Sequence, residues 1–460
     1  MLINHAKIIS NAAHDPILED YSLLIREGII QELGPTADME KRYIHEEVLD
    51  ARGQYVMPGN ICAHTHFYGA FSRGMPIPGS SPKDFPEILE KLWWNLDKAL
   101  TLDNVYHSAL VCMLEAVRYG TTTLVDHHAS PNAIQGSLDR IARAAEETGL
   151  RVCLCYEVTD RDGEARTQAG IEENIRFIKR VQAGDNLDGR LTALFGLHAS
   201  LTLSDETLKK CRQAAHEGQG FHVHVAEHPV DQYDALRKSG TRVVDRLNQF
   251  GILGDRTIAV HAVHVDAREI EILSRTGTWV THQPRSNMNN GVGLPEVESM
   301  ARAGVKVCLG NDGFSNAMWE EWKTAYLAHK LYHRDPRKMN GAFLREIALQ
   351  NNAQLASILF EKKIGVIEAG AQADLIFVDY HPYTPMDNNN LPWHIIFGFH
   401  ESMITTTMVQ GRVLMLDREL VGIDEEKLCY QIQKTIPEVW KRYQEYCKST
   451  HMEEPWKSMT

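Results

Sequence analysis

What most constrains this chain is a repeated pairing of short apolar runs with polar residues at their carboxyl ends. Eight such runs lie between residues 59 and 363: 60–66 (NICAHTH), 122–128 (TTLVDHH), 151–157 (RVCLCYE), 191–198 (LTALFGLH), 220–227 (GFHVHVAE), 257–263 (TIAVHAV), 278–283 (TWVTHQ) and 305–312 (VKVCLGND). Stretches with helical periodicity, such as LDRIARAAEETG and DETLKKCRQAAHEG, separate most of them. Strands of this kind alternating with helices predict an α/β fold with a parallel sheet covered by helices. Eight repeats predict closure into a (β/α)8 TIM-like barrel. The rival is an open doubly wound sheet, and the chain lacks the GxGxxG turn that marks many of those. His64, His66, Asp126, His127, His128, Glu157, His198, His224, Glu227, His261, His282 and Asp312 all fall toward the carboxyl ends of the runs. Barrel enzymes assemble their sites at that end of the strands.

The flanks read differently. LLIREGIIQELG, the run from Val48 to Val56, ADLIFVDY and ITTTMVQGRVLML, with its turn at Gly411, have the alternation and turn residues of short strands. They predict a small composite β-sandwich domain built from both chain ends, 1–58 and 364–425, beside a barrel at 59–363. The segment 426–460 is predicted helical, with Leu428, Ile432, Val439 and Trp440 at apolar positions and Pro437 interrupting it. A length of 460 residues suits one large barrel and an accessory domain.

Composition narrows the partners. A net charge of -13 with no basic run argues against nucleic acid. The chain contains no stretch of about 18 apolar residues, so no membrane span is expected, and MLINHAKIISNAAHDP lacks the apolar core of a secretory signal. Eight cysteines without a CxxC pair read as reduced thiols, which implies a cytoplasmic setting.

Two histidines separated by one residue share a face of a strand, so His64 and His66 can meet one ion. His222 and His224 repeat the pattern, with His222 roughly 7 Å deeper. His224 is therefore the candidate ligand, and His222 fills the interior or orients a ligand by a hydrogen bond. Glu227 follows near the strand's exit, where a carboxylate can shuttle protons. In Gly310-Asn311-Asp312-Gly313 the flanking glycines permit a sharp turn, and Asp312 can ligate the ion and accept a proton. His64, His66, His224 and Asp312 thus form the expected metal set. It suits one divalent transition metal per chain, zinc foremost, with iron and manganese compatible. Arg73 and Trp93, in the long loop after the first strand, are candidate substrate contacts. His264 and His282 have structural readings at least as good as functional ones, and the roles of Asp126, His127 and His128 stay open.

PGNICAHTH, FHVHVAEH, AVHAVH, THQPRSNMNN and LGNDGFSN resemble the successive motifs of the amidohydrolase superfamily. The resemblance spans nearly the whole chain and is strongest to the branch of triazine hydrolases and cytosine- and guanine-type deaminases. It implies metal ligation by His64, His66, His224 and Asp312, catalytic roles for Glu227 and His261 beside Asp312, and a substrate-facing His198. In GLHASLTLSDETL, Leu197 and Leu201 stand where the family often has prolines, which bears on pocket shape. Binuclear members often bridge two metals through a carboxylated lysine ending strand four. Here that run ends in His198, and the lysines fall elsewhere, which favours one metal.

The expected reaction is hydrolytic deamination of a small amino-substituted heterocycle, purine-, pyrimidine- or triazine-like, by a metal-activated water. The same site could serve a chlorohydrolase or a cyclic amide hydrolase. A remote alternative is a non-catalytic relative that assembles into oligomers; such relatives usually lose ligands, and this chain keeps them. Homo-oligomer formation is compatible with any of these readings. The P-C-x-x-C, GxSxG and GxxxxGK[ST] signatures of other hydrolase and phosphate-loop chemistries are absent.

Overall fold

The computed structural model describes residues 1–11 and 16–450. At its centre nine parallel segments follow one another in chain order. Asn60–Thr65, Thr121–Asp126, Arg151–Leu154 and Leu191–Ala193 form one sheet, and Phe195–Ala199, Phe221–Val225, Ile258–His261, Trp279–His282 and Val307–Leu309 form the next. The expected fourth strand is thus broken once, at Leu194. Its halves stay together because Leu194 N–H donates to Leu154 O at 3.1 Å and Leu197 pairs with Val158. The remaining seam closes where Thr65 pairs with Asp312 and where His66 N–H donates to Asp312 O at 3.0 Å. The ring is a barrel, as the eightfold pattern predicts.

A bulge in the first strand has functional weight. Its register against the second strand slips by one residue between Cys62 and Thr65. Below the slip, Ile61 and Ala63 pack with Val125, Cys153, Val260 and Cys308 in the barrel's interior cluster, while Cys62 packs in the outer layer with Leu124 and Val152. Above it, the extra residue turns His64 and His66 toward the interior histidines His222 and His224. Bulges re-aim side chains in this way beside active sites.

Both chain ends supply one nine-stranded sheet. Tyr55–Pro58 lies between Leu2–Ile8 and Leu375–Val378. The sheet curls until Ile29 bridges Gln372, enclosing Ile3, Ile8, Leu23, Ile30, Val56, Leu375 and Phe377. Arg151, on a barrel strand, ties this sheet to the barrel. Its Nε donates to Asp374 Oδ2 at 2.8 Å, its Nη1 to Gly189 O at 2.7 Å and its Nη2 to Gln372 Oε1 at 3.2 Å. The Arg151 and Asp374 side chains are 0% and 1% exposed. Removing one partner of such a pair leaves a buried, uncompensated charge. Asp374→Ala is therefore expected to cost about 3–5 kcal/mol in reversible urea unfolding; a loss below about 1 kcal/mol would show the pair is dispensable.

The C-terminal segment forms two helices, Glu425–Gln433 and Ile436–Thr450. Pro437 opens the second rather than interrupting one long helix, because proline's missing N–H costs nothing in a first turn. Residues 451–460 of the expected segment lie outside the described residues. The second helix braces the loop at the barrel mouth: Trp440 Nε1 donates to Phe71 O at 2.9 Å, Tyr443 Oη to Lys91 O at 2.8 Å and Arg442 Nε to Ala99 O at 2.7 Å. Among the described residues, no helix is long and apolar enough to cross a membrane.

Candidate metal centre and catalytic cavity

At the carboxyl end of the barrel, His64, His66, His224 and Asp312 converge, with one donor atom from each within 4.8 Å of the others. The imidazole orientations are set from behind. His66 Nδ1 donates to His127 O at 2.6 Å and His224 Nδ1 to His198 O at 2.8 Å, which leaves both Nε2 lone pairs facing inward. His64 Nδ1 lies 2.9 Å from His222 Nε2. Ring nitrogens tied in this way are typical of metal-ligating histidines.

Donor spacing tests the fit. Ligands about 2.0–2.2 Å from a tetrahedral ion lie roughly 3.3–3.6 Å from one another. Here His64 Nε2 and His66 Nε2 lie 3.3 and 3.0 Å from Asp312 Oδ1, and the His66 and His224 Nε2 atoms are 3.2 Å apart. The four donors fit one ion. Burial lowers His64 to about 3 and keeps His224 well below the usual imidazole range, so both are neutral. Burial opposes a charge on His66 too, but the adjoining Asp312 carboxylate wins and raises it to about 9. Asp312 itself is pushed up by burial but held well below the usual carboxylate range by His64 and His66. The carboxylate thus holds one positive charge at this point, a proton or a metal ion in its place. Two further groupings, His66–His127–Glu157–His224 and His64–His127–His222, reuse these imidazoles.

Backbone strain collects here. Ala226, His261 and Asp312 have φ of 47°, 69° and 58°, a region that side chains with a Cβ seldom occupy and that functional sites tolerate. Left-handed geometry falls on Asp312 itself. Gly310 is needed for a different reason: a Cβ there would lie 2.8 Å from both His64 N and His64 O.

Glu227 and His261 lie beside the four donors. His261 Nδ1 pairs with Asn287 Oδ1 at 2.8 Å, and its Nε2 lies 3.3 Å from Glu227 Oε2. Asn290 Nδ2 donates to Glu227 Oε1 at 3.4 Å and to Ser286 Oγ at 3.2 Å. Ser286 Oγ donates in turn to Asp312 Oδ2. Burial, reinforced by the charge of Asp312, raises the Glu227 carboxyl well above its ordinary range.

The sequence reading missed this polar row on and just after the helix Pro284–Asn289, although QPRSNMNN carried the signal: Ser286 and Asn290 are one helical turn apart. It also left Glu157 without a role. Its Oε1 lies 3.4 and 3.5 Å from Nδ1 of His66 and His127, and burial raises its carboxyl to about 8.

The cavity above the donors is lined by His198, Trp93, Trp94, Tyr68, Phe85 and Arg161, among others, together with Glu227, His261 and Asp312. Trp93 belongs to a π-helical turn, Leu89–Trp93, and meets Tyr68 edge-on. Arg73 does not line it. Its side chain is 68% exposed and pairs with Glu115 at 3.0 Å, because the short helical turn Phe67–Ser72 carries it to the surface. His222 lies behind His64, as its depth implied. His282 pairs with His329 at 3.0 Å and His264 with Val292 O at 3.0 Å. Asp126 accepts from Phe67 N–H at 2.8 Å and His128 pairs with Ser130 at 2.9 Å, while His127 stacks on His222. No lysine lines the cavity among the described residues.

A barrel with this donor set at its mouth defines a metal-dependent hydrolase. The model of the amidohydrolase family matches residues 55–414, and the chain belongs to that family. It is 31% identical to a 5-methylthioadenosine/S-adenosylhomocysteine deaminase of Pelotomaculum thermopropionicum over 442 residues, covering 94% of this chain and 97% of the relative. It is 30% identical to a 5'-deoxyadenosine deaminase of Methanosarcina mazei, covering 96% and 99% of the two chains. Among solved structures, an adenosine deaminase from Xanthomonas campestris with bound zinc superposes with a TM-score of 0.84 at 23% identity, covering 96% of this chain and 98% of that one.

Proposed function

We propose that the chain is an aminohydrolase that deaminates a small amino-substituted heterocycle, with one divalent ion held by His64, His66, His224 and Asp312. The observation that carries this reading is the four-donor cluster directly beside the Glu227–His261 pair, at the base of an aromatic-walled cavity. Zinc suits three imidazoles and a carboxylate, and iron or manganese can replace it. When bound, the ion supplies Lewis-acid activation of water. Asp312 accepts the proton of the attacking water, with Ser286 holding its other oxygen. Glu227, whose carboxyl burial raises well above its ordinary range, delivers a proton to the ring nitrogen. His261, oriented by Asn287, polarises the attacking oxygen. His198 and Trp93 contact the ring; Arg73 is left out of this assignment. Asp312 passes its proton to the amino nitrogen, which leaves as ammonia, and the hydroxyl proton of the tetrahedral carbon returns to Glu227, in line with the activities named for the relatives.

The same reading treats 1–58 with 364–425 as an accessory unit, 59–363 as the catalytic barrel and 426–460 as a C-terminal segment whose helix Ile436–Thr450 braces it. It places the enzyme in the cytoplasm and is compatible with homo-oligomers. The test is ammonia release from amino-purines, pyrimidines and triazines, with metal content measured on the same sample. About one ion per chain and ammonia from at least one class are expected. A folded protein that takes up no ion ends the hydrolase reading, and chloride without ammonia from a chloro-amino-triazine turns it toward a chlorohydrolase.

A further inference from the structure

Glu227 stands in the short bend between the strand Phe221–Val225 and the helix Pro229–Ser239. Ala226, just before it, has a φ of 47°, which an alanine keeps only when its surroundings hold it there. The Ala226 peptide groups are held on both sides. Its carbonyl accepts from His264 N–H at 2.9 Å, and its N–H donates to Asp231 Oδ2 at 2.8 Å. The second bond stands in for a strand pairing. The neighbouring strand Phe195–Ala199 turns into the helical segment Ser200–Thr202, so the ladder that pairs Ala199 with His224 does not continue to Ala226. A buried N–H without an acceptor is costly, and Asp231 supplies the acceptor.

Asp231 is 2% exposed and lies in the first turn of the helix, where its own N–H donates to His228 O at 3.1 Å. Reaching back to Ala226, it closes a loop of backbone around Glu227, and the ends of that loop cannot drift apart without breaking a buried hydrogen bond. Burial raises the Asp231 carboxyl to about 7, against the opposing pull of the Ala226 and Leu201 backbone. In either protonation state an oxygen remains to accept. Gln232, the next residue, donates to His264 O at 3.0 Å and to Glu269 Oε1 at 3.0 Å. The helix, the bend and the turn after His261 are thereby tied together, with Glu227 Oε2 held 3.3 Å from His261 Nε2.

We propose that Asp231 is a positioning residue for the proton transfer: by accepting the Ala226 N–H it fixes the left-handed bend that aims Glu227 beside His261. This rests on the proposed deamination and deepens it. A proton donor acts only within hydrogen-bond reach of the atom it serves, and a displacement of about 1 Å can cost about 10²-fold in rate.

The test compares the full zinc-loaded chain with its Asp231→Ala and Asp231→Asn variants on the amino-heterocycle that the wild type deaminates fastest. Asp231→Ala is expected to lower kcat by about 10²-fold, with KM within about threefold and metal content unchanged. Asp231→Asn keeps an oxygen for the Ala226 N–H and is expected to stay within about fivefold of wild-type kcat. In a Glu227→Gln background, Asp231→Ala is expected to cost less than about threefold more, because a residue that acts through Glu227 has little left to lose. Hydrogen exchange read on peptides covering 221–231 supplies a measure independent of turnover: the Ala226 amide should exchange at least about tenfold faster in Asp231→Ala and stay protected in Asp231→Asn. Should Asp231→Ala fail to fold, Asp231→Ser, whose hydroxyl stops one bond short of the carboxylate oxygens, takes its place. Equal losses in the wild-type and Glu227→Gln backgrounds, or an Asp231→Asn protein as slow as Asp231→Ala, overturn the proposal. Asp231 also borders the cavity, so a raised KM with unchanged kcat overturns it too, in favour of a substrate contact. Ammonia from no amino-heterocycle in the wild type overturns the deaminase reading, and the exchange of the Ala226 amide then still decides whether Asp231 holds the bend.

Discussion

His64→Ala protein, purified and dialysed beside the wild type, is expected to retain less than about 0.1 transition-metal ion per chain and to lose at least about 10³-fold in kcat. His64 supplies one of four donors, and its Nε2 spans to Asp312 Oδ1 at 3.3 Å. Three donors hold an ion less tightly, and the loss of the ion removes all activation of water. The substitution also strands His222, whose Nε2 pairs with His64 Nδ1, so some loss of stability accompanies it. Asp312→Asn keeps the volume and removes the charge, which separates metal loss from misfolding. Metal analysis and melting curves on both variants decide the matter. Stoichiometric ion and undiminished turnover in a folded His64→Ala protein would remove His64 from the centre.

Glu227→Gln is expected to behave in the opposite way: metal content unchanged, kcat lower by about 10²–10⁴-fold and KM nearly constant. Glutamine keeps the shape and the hydrogen bond to Asn290 but cannot pass a proton. The sign of the pH dependence follows from the raised carboxyl. A general acid works while protonated, so the rate should fall as pH rises through that elevated pKa. The alkaline limb should vanish in the glutamine variant. Burial and Asp312 both favour the protonated form, so the acid holds its proton to a higher pH than an exposed glutamate does. Wild-type turnover in Glu227→Gln would assign the proton transfer elsewhere.

Parts of this site were legible in the sequence because their logic is local. Residues two apart on a strand share a face, so His64 with His66 and His222 with His224 announced themselves as pairs. Their relative depth separated His224, among the donors, from His222, behind His64. Arg73 shows where local reading fails. A loop arginine near a barrel mouth has many places to go, and only the path of the chain shows that it pairs with Glu115 at the surface. Ser286, Asn287 and Asn290 failed to stand out for the opposite reason. Their residue types are ordinary for a short helix and its ends, and their partners Asp312, His261 and Glu227 lie 26, 26 and 63 positions away.

The sequence by itself determined the alternation of strand and helix, the closed barrel it implies, and the inventory of imidazoles and carboxylates at the strand ends. These depend on periodicities of two and 3.6 residues that each segment carries within itself. The tertiary structure alone decided which face those side chains present and what surrounds them. A one-residue slip between Cys62 and Thr65 turns the first pair of histidines inward. The left-handed backbone at Asp312 is held by its contacts with the first strand, on the far side of the barrel seam. The raised pKa of Glu227 arises from burial and from Asp312, a group distant in the chain. Register, strain and desolvation are properties of packed neighbours, and no stretch of sequence contains its own neighbours.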